Sequence, residues 1–117
     1  MIVQEAVQFE KLIRVIIIGE EPICAVYDTP DKELRASVCL NESVKRYGLD
    51  PELVELSMKV KDTTKSDITF IDFFKTKQKD YVFNEVNRKC ALSHVERACK
   101  LNLTKKIVDF LVEKAKR

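Results

Sequence analysis

Apolar residues in the first thirty positions run in unbroken blocks, whereas in the last thirty they recur every three or four positions. Leu12, Ile13, Val15, Ile16, Ile17 and Ile18, interrupted only by Arg14, form a β-branched run without helical period and predict a buried strand. Gly19, Glu20, Glu21 and Pro22 punctuate the chain as a turn, and a second apolar run follows at 23–27. Residues 12–27 therefore predict a β-hairpin, preceded over 3–9 by a short strand or irregular lead. Asp28, Thr29, Pro30 and Asp31 form another turn or a helix start. Over 32–40 the alternation of Leu34, Ala36, Val38 and Leu40 favours a third strand, with a helix as the alternative. Asn41 can cap a short helix over 42–47, ended by Gly48. Asp50 and Pro51 start a clear helix that turns Leu53, Val54, Leu56 and Val60 inward.

After the polar break at 61–65, the aromatic-rich stretch 68–74 reads as strand or helix, and an N-cap at Ser66 or Asp67 favours a short helix. Lys75, Lys77 and Lys79 alternate along a basic loop, and Asp80 can cap a helix from Tyr81 to about Leu92. Ser93 and Glu96 then form a capping box. The helix they start has Val95, Ala98 and Leu101 inward. Asn102 suits a turn, because asparagine tolerates a left-handed backbone. Thr104 can cap a last helix with Ile107, Val108, Leu111, Val112 and Ala115 on one apolar stripe. The expected architecture is a single α+β domain over 1–117. An N-terminal β-hairpin or small antiparallel sheet (1–40, β-rich) precedes a helical part (41–117), with a helix-turn-helix-like arrangement at 93–116.

Two resemblances rest on these segments. Ala98, Leu101, Asn102, Leu103, Val108 and Leu111 are spaced as in the helix-turn-helix superfamily, although Arg97 stands where that family usually has an apolar residue. The hairpin, with Arg14, Glu21, Pro22 and Asp28, resembles the opening of the Bro-N domain of insect-virus DNA-binding proteins and phage antirepressors. Ile23 and Cys24 replace the aromatics expected there. Both resemblances imply DNA binding.

Composition and charge fit that expectation. The 117 residues are 45% hydrophobic and 34% charged, enough apolar content for a core. Net charge is only +2, but residues 1–60 carry a balance of −4 and residues 61–117 one of +6. A basic end invites an anionic partner. The start of the chain shows no basic segment leading into a long apolar one, and no apolar run is long enough to span a membrane. The expected location is intracellular, in the cytoplasm or nucleus of a host cell. Cysteines 24, 39, 90 and 99 lack C-x-x-C spacing and are expected to be buried thiols without metal. No phosphate loop, metal cluster or acid–base constellation stands out, so neither an enzyme nor a cofactor is expected.

The leading expectation is thus a small DNA-binding regulator or accessory factor of viral or mobile-element origin, with DNA favoured over RNA, a homodimer considered and no membrane. Phosphate contacts would come from Lys75, Lys77, Lys79, Arg88 and Lys89. Base-edge contacts would come from Thr104, Lys105, Lys106 and Asp109 at the start of the last helix. The alternative is a protein–protein interaction module using Phe70, Phe73 and Phe74.

Overall fold

The computed structural model describes residues 9–28, 45–76, 80–87 and 92–116. The order of elements is β1 (Phe9–Ile18), β2 (Glu21–Asp28), β3 (Lys45–Tyr47), α1 (Pro51–Asp62), β4 (Ile68–Thr76), β5 (Tyr81–Asn87), α2 (Leu92–Cys99) and α3 (Leu103–Ala115). The described strands form one antiparallel sheet in the order β3-β2-β1-β4-β5. The α+β class and the hairpin at 12–27 are as expected. The middle of the chain is not.

β1 is paired on both edges, by β2 and β4, and covered on both faces. That explains its composition: a doubly covered strand has no solvent side, so it reads as a continuous apolar run rather than an alternation. Ile16 and Ile18 join Cys24, Val26 and Phe70 under α2 and α3, with Val95, Cys99 and Leu103 closing that core. Ile13, Val15 and Ile17 join Ala25, Ile71 and Phe73 on the opposite face, against Leu53 of α1.

The same reasoning corrects the reading of 68–74 as a short helix and of 81–92 as a helix. β4 is the other central strand, and its β-branched and aromatic residues fill both cores. Asp67 and Asp80 looked like helix caps, yet their backbones serve the sheet. The Asp67 carbonyl accepts from the Gly19 N–H at 2.7 Å, and the Asp80 carbonyl accepts from the Thr76 N–H at 2.8 Å where β4 turns into β5. Lys45–Tyr47 pairs with Ala25, Val26 and Tyr27 as β3, so the helix expected over 42–47 does not extend there. The third strand expected at 32–40 and the cap at Asn41 lie outside the described residues.

α1 forms as its sequence dictates. Pro51 takes the first position, and the Asp50 carboxylate accepts from the Leu53 N–H at 2.8 Å. Such a cap contributes about 1 kcal/mol. Lys61, buried near the end of α1, reaches back to Glu20 in the β1–β2 turn at 2.9 Å.

That turn also seats α3. Gly19 has φ of +66°, and a Cβ there would come within 2.7 Å of the Phe110 ring. Lys114 pairs with Asp67 beside it. α3 thus docks through Leu103, Ile107 and Phe110, whereas Val108, Leu111 and Val112 are 51%, 48% and 49% exposed. The last three are residues that the expected stripe placed inward. The turn between α2 and α3 differs too: Lys100, not Asn102, takes the left-handed backbone (φ +57°), while Asn102 rather than Thr104 caps α3. Cys24 and Cys99 are buried free thiols as expected; Cys39 and Cys90 lie outside the described residues. Among the described residues, no helix is long and apolar enough to cross a membrane.

Candidate functional site

Residues directly opposite one another in an antiparallel sheet share a face. The register therefore lines up one row across all five strands: Arg46, Val26, Arg14, Asp72 and Glu85. The neighbouring row on that face is Cys24, Ile16 and Phe70, covered by α2 and α3. The polar row interrupts an apolar face in the middle of the sheet.

Its centre is a buried ion pair. The Arg14 guanidinium donates from Nε to Asp72 Oδ1 at 2.7 Å and from Nη2 to Asp72 Oδ2 at 2.9 Å. Arg14 is 5% exposed and Asp72 1%. Two parallel hydrogen bonds in a fork are the arrangement that can offset desolvation of both charges. Glu85 is the cross-strand neighbour of Asp72 on the opposite side from Arg14, and it is half-buried. Like charges directly opposite repel. The row thus holds two carboxylates and two guanidiniums; Arg14 is engaged with Asp72, Arg46 lies at the far end on β3, and among the described residues no cation is paired with Glu85. Carboxylate oxygens are hard donors of the kind that suit a divalent cation. Magnesium in particular is held by one or two carboxylates and completes its shell with water and substrate phosphate oxygens. Among the described residues no cluster of three or more His, Cys, Asp or Glu forms a complete protein cage for a metal. Asp72 and Glu85 are the carboxylates of this row that could share in holding such an ion, Asp72 being buried and already forked by Arg14 and Glu85 half-buried.

A second polar cluster lies on the α1 face, and it takes in Lys75. The Lys75 ammonium donates to the Tyr47 hydroxyl at 2.7 Å and lies over the rings of Tyr47 and Tyr81 at 5.4 and 5.2 Å. Lys11 lies over Tyr27 and Tyr47 at 5.3 and 5.9 Å. The Tyr47 and Tyr81 hydroxyls are 2.8 Å apart, and Tyr81 donates to the Asp50 carboxylate. Burial, and then the bond to Asp50, pushes the Tyr81 hydroxyl far above the ordinary tyrosine value. Burial raises the Asp50 carboxyl, but the Tyr81 hydroxyl, the Leu53 N–H and the Lys75 charge outweigh it and hold the group below its usual value.

The other residues expected to contact nucleic acid are dispersed. Thr104, Lys105, Lys106 and Asp109 are exposed at the start of α3. Two of the N–H groups that would grip a phosphate there are already engaged: Thr104 donates to Glu96 Oε2 at 2.8 Å and Lys105 to Asn102 Oδ1 at 2.9 Å. The Lys105 ammonium pairs with Asp109 at 2.8 Å, which raises its pKa. Lys77, Lys79, Arg88 and Lys89 lie outside the described residues. Phe70 and Phe73 are buried and Phe74 half-buried, so they offer no exposed aromatic surface for the interaction-module reading. Sequence reasoning missed Asp72 and Glu85 and treated Arg14 only as part of a hairpin pattern.

The sequence pattern of the RimK-like ATP-grasp domain matches residues 1–111, and the chain belongs to that family. It is 32% identical over 103 residues to the alpha-aminoadipate–LysW ligase LysX of Saccharolobus solfataricus, covering 88% of this chain and 36% of that protein. With the glutamate–LysW ligase ArgX of Sulfurisphaera tokodaii, identity is 32% over 114 residues, covering 96% of this chain and 40% of the relative. The chain thus spans about two-fifths or less of the length of these relatives. Among solved structures, a RiPP-associated ATP-grasp ligase of Chryseobacterium gregarium, in complex with ADP and leader and core peptide, superposes with a TM-score of 0.73 at 17% identity. That match covers 92% of this chain and 34% of the ligase. The ATP-grasp ligase PsnB, complexed with Mg, ADP and a variant precursor, gives 0.71 at 16% identity over 92% of this chain and 33% of its own.

These findings overturn the helix-turn-helix and Bro-N resemblances. With them go the DNA-binding function, the viral regulator role, the nucleic-acid partner, the support for a host nucleus, and the expectation that the chain is no enzyme. The interaction-module alternative fares no better. The helical pair α2–α3 closes a sheet core in an ATP-grasp fold.

Proposed function

We propose that this chain is the carboxylate-bearing part of an ATP-dependent ligase that joins an amino acid to a peptide or protein. The observation that carries the reading is the pairing of Asp72 and Glu85 beside Arg14 in mid-sheet. Asp72 and Glu85 would hold a magnesium ion, whose chemistry is to neutralise the phosphate charge of a bound nucleotide. Arg14 fixes the Asp72 carboxylate in one orientation through its bidentate fork. Glu85, without a fork of its own, is the group most open to a cation. The acidic amino acids in the names of LysX and ArgX make an acidic amino acid the preferred substrate class, and consumption of ATP goes with an intracellular setting.

The test is binding of a fluorescent ADP analogue to the purified chain with and without magnesium. Magnesium-dependent binding that Glu85→Gln weakens at least tenfold is expected. Binding indifferent to magnesium, or unchanged in Glu85→Gln, overturns the reading.

A further inference from the structure

Cys24 lies on β2 and Cys99 closes α2, and both are buried in the core that α2 and α3 form on the sheet. Their meeting is long-range: the Cys99 thiol donates to the carbonyl of Ala25 at 3.6 Å and is also in hydrogen-bond contact with the Cys24 thiol. The backbone turns just after Cys99, where Lys100 takes a left-handed conformation, so the end of α2 is fixed in position over β2. Two thiols held in contact by separate elements form a preorganised pair, unlike a buried cysteine surrounded only by hydrocarbon. The Cys24 contact draws the Cys99 thiol below its ordinary value; burial opposes this, and the Arg46 charge on β3 assists it. Thiolate character decides which cysteine reacts first.

We propose that Cys24 and Cys99 form a redox-sensitive dithiol that a hydroperoxide closes to a disulfide, tying α2 to β2. The Cys99 thiolate attacks a peroxide oxygen, the O–O bond breaks, and the leaving hydroxide takes up a proton as water. Cys99 is then a sulfenic acid. The Cys24 sulfur attacks the sulfenic sulfur, the S–O bond breaks, and the oxygen leaves with the Cys24 proton as a second water. Two thiols are oxidised to one disulfide and the peroxide is reduced; an external dithiol reverses the reaction by exchange. The consequence reaches the polar row. Val26, which packs with Val95 and Cys99, is the register neighbour of Arg14, so the crosslink stiffens the wall beside the Arg14–Asp72 pair.

The experiment exposes the purified chain to hydrogen peroxide, blocks remaining thiols with an alkylating agent, and maps unreduced peptides by mass spectrometry. The expected product is a Cys24–Cys99 crosslinked peptide that dithiothreitol abolishes, together with a thermal midpoint several degrees above that of the reduced chain. In Cys24→Ser, Cys99 should stop at the sulfenic acid and be labelled by dimedone. The proposal is overturned if Cys24 and Cys99 are both alkylated after peroxide has fully oxidised free glutathione in the same tube. It is equally overturned if Cys99 pairs with Cys39 or Cys90, or if the crosslink forms only in urea. The mapping uses the unmodified chain, so a variant that fails to fold does not decide the matter.

Discussion

The two faces of the sheet each carry a polar cluster, and they solve the problem of charge differently. On the α1 face, Lys75, Tyr47, Tyr81 and Asp50 form a closed chain in which each donor meets an acceptor and the ends carry opposite charges. On the other face, Arg14 and Asp72 close on each other with near-ideal geometry, and Glu85 stands opposite Asp72 with, among the described residues, no cation paired to it. The first cluster is complete in itself and ties α1, β3, β4 and β5 together. The second leaves the Glu85 carboxylate, among the described residues, without a paired cation. Charge left over in a partly buried place is costly, so its presence marks a binding site more reliably than the number of polar residues does.

The largest test of this contrast removes the Asp72 carboxylate. Asp72→Ala takes from the buried Arg14 guanidinium its bidentate carboxylate, and unfolding in urea should show a loss of about 3–5 kcal/mol. Replacing both partners by apolar residues, Arg14→Met with Asp72→Leu, should return stability to near the starting value or above it, because a buried pair scarcely outweighs its own desolvation. The double variant should nonetheless fail to bind nucleotide with magnesium. A double variant as unstable as Asp72→Ala would mean that the pair is structural like the tyrosine chain, and the contrast would collapse.

The tyrosine chain gives the next effect. Tyr81→Phe removes one hydroxyl from the middle of a half-buried network, which should cost about 1–2 kcal/mol and leave magnesium-dependent nucleotide binding unchanged. Its pH dependence has a definite sign. Asp50 is held below its ordinary value, so its contribution is full at neutral pH and is lost as pH falls through about 4 and below. Tyr81 is pushed upward, so its contribution is lost only as pH rises above about 10. The stability gap between the wild-type chain and Tyr81→Phe should therefore be flat from about pH 5 to 9 and narrow on either side. A gap that changes within that range would point to a different titrating group.

The contrast between the clusters also explains what the sequence disclosed. The hairpin was legible because Gly19 and the β-branched run are local signals, and α1 was legible because Asp50 and Pro51 are. β4 and β5 were misread because Asp67 and Asp80 offer local cap chemistry, whereas the strand character of β4 depends on pairing with β1, more than fifty residues away, and that of β5 on pairing with β4. The α2–α3 spacing imitated a DNA-binding motif because any helix docked on a sheet needs apolar residues every three or four positions. Which of those face inward, Phe110 rather than Leu111, depends on contact with Gly19. One signal for the site was present: Arg14 and Asp72 are opposite charges, each alone within a stretch of buried apolar residues. Two such strands can be buried together only if those charges meet, and this predicts both the pairing and the register.

The smallest expected change in stability comes from Glu85→Gln, and it separates the clusters most sharply. Glutamine keeps the shape of the side chain and removes the charge that faces Asp72 across the strand pair. A structural carboxylate would be missed, and the chain would lose stability. A carboxylate opposed to another is instead relieved by neutralisation, so stability should stay level or rise, by no more than about 1 kcal/mol. Magnesium-dependent binding should fall at the same time, because a neutral amide oxygen is a weaker ligand for a hard divalent cation. Added magnesium should sharpen the difference. It should raise the urea midpoint of the wild-type chain by mass action and leave that of Glu85→Gln nearly unmoved. The two midpoints should then cross as magnesium is titrated. If instead Glu85→Gln is the less stable chain without magnesium, Glu85 has a structural partner, and the facing of two carboxylates is not what defines the site.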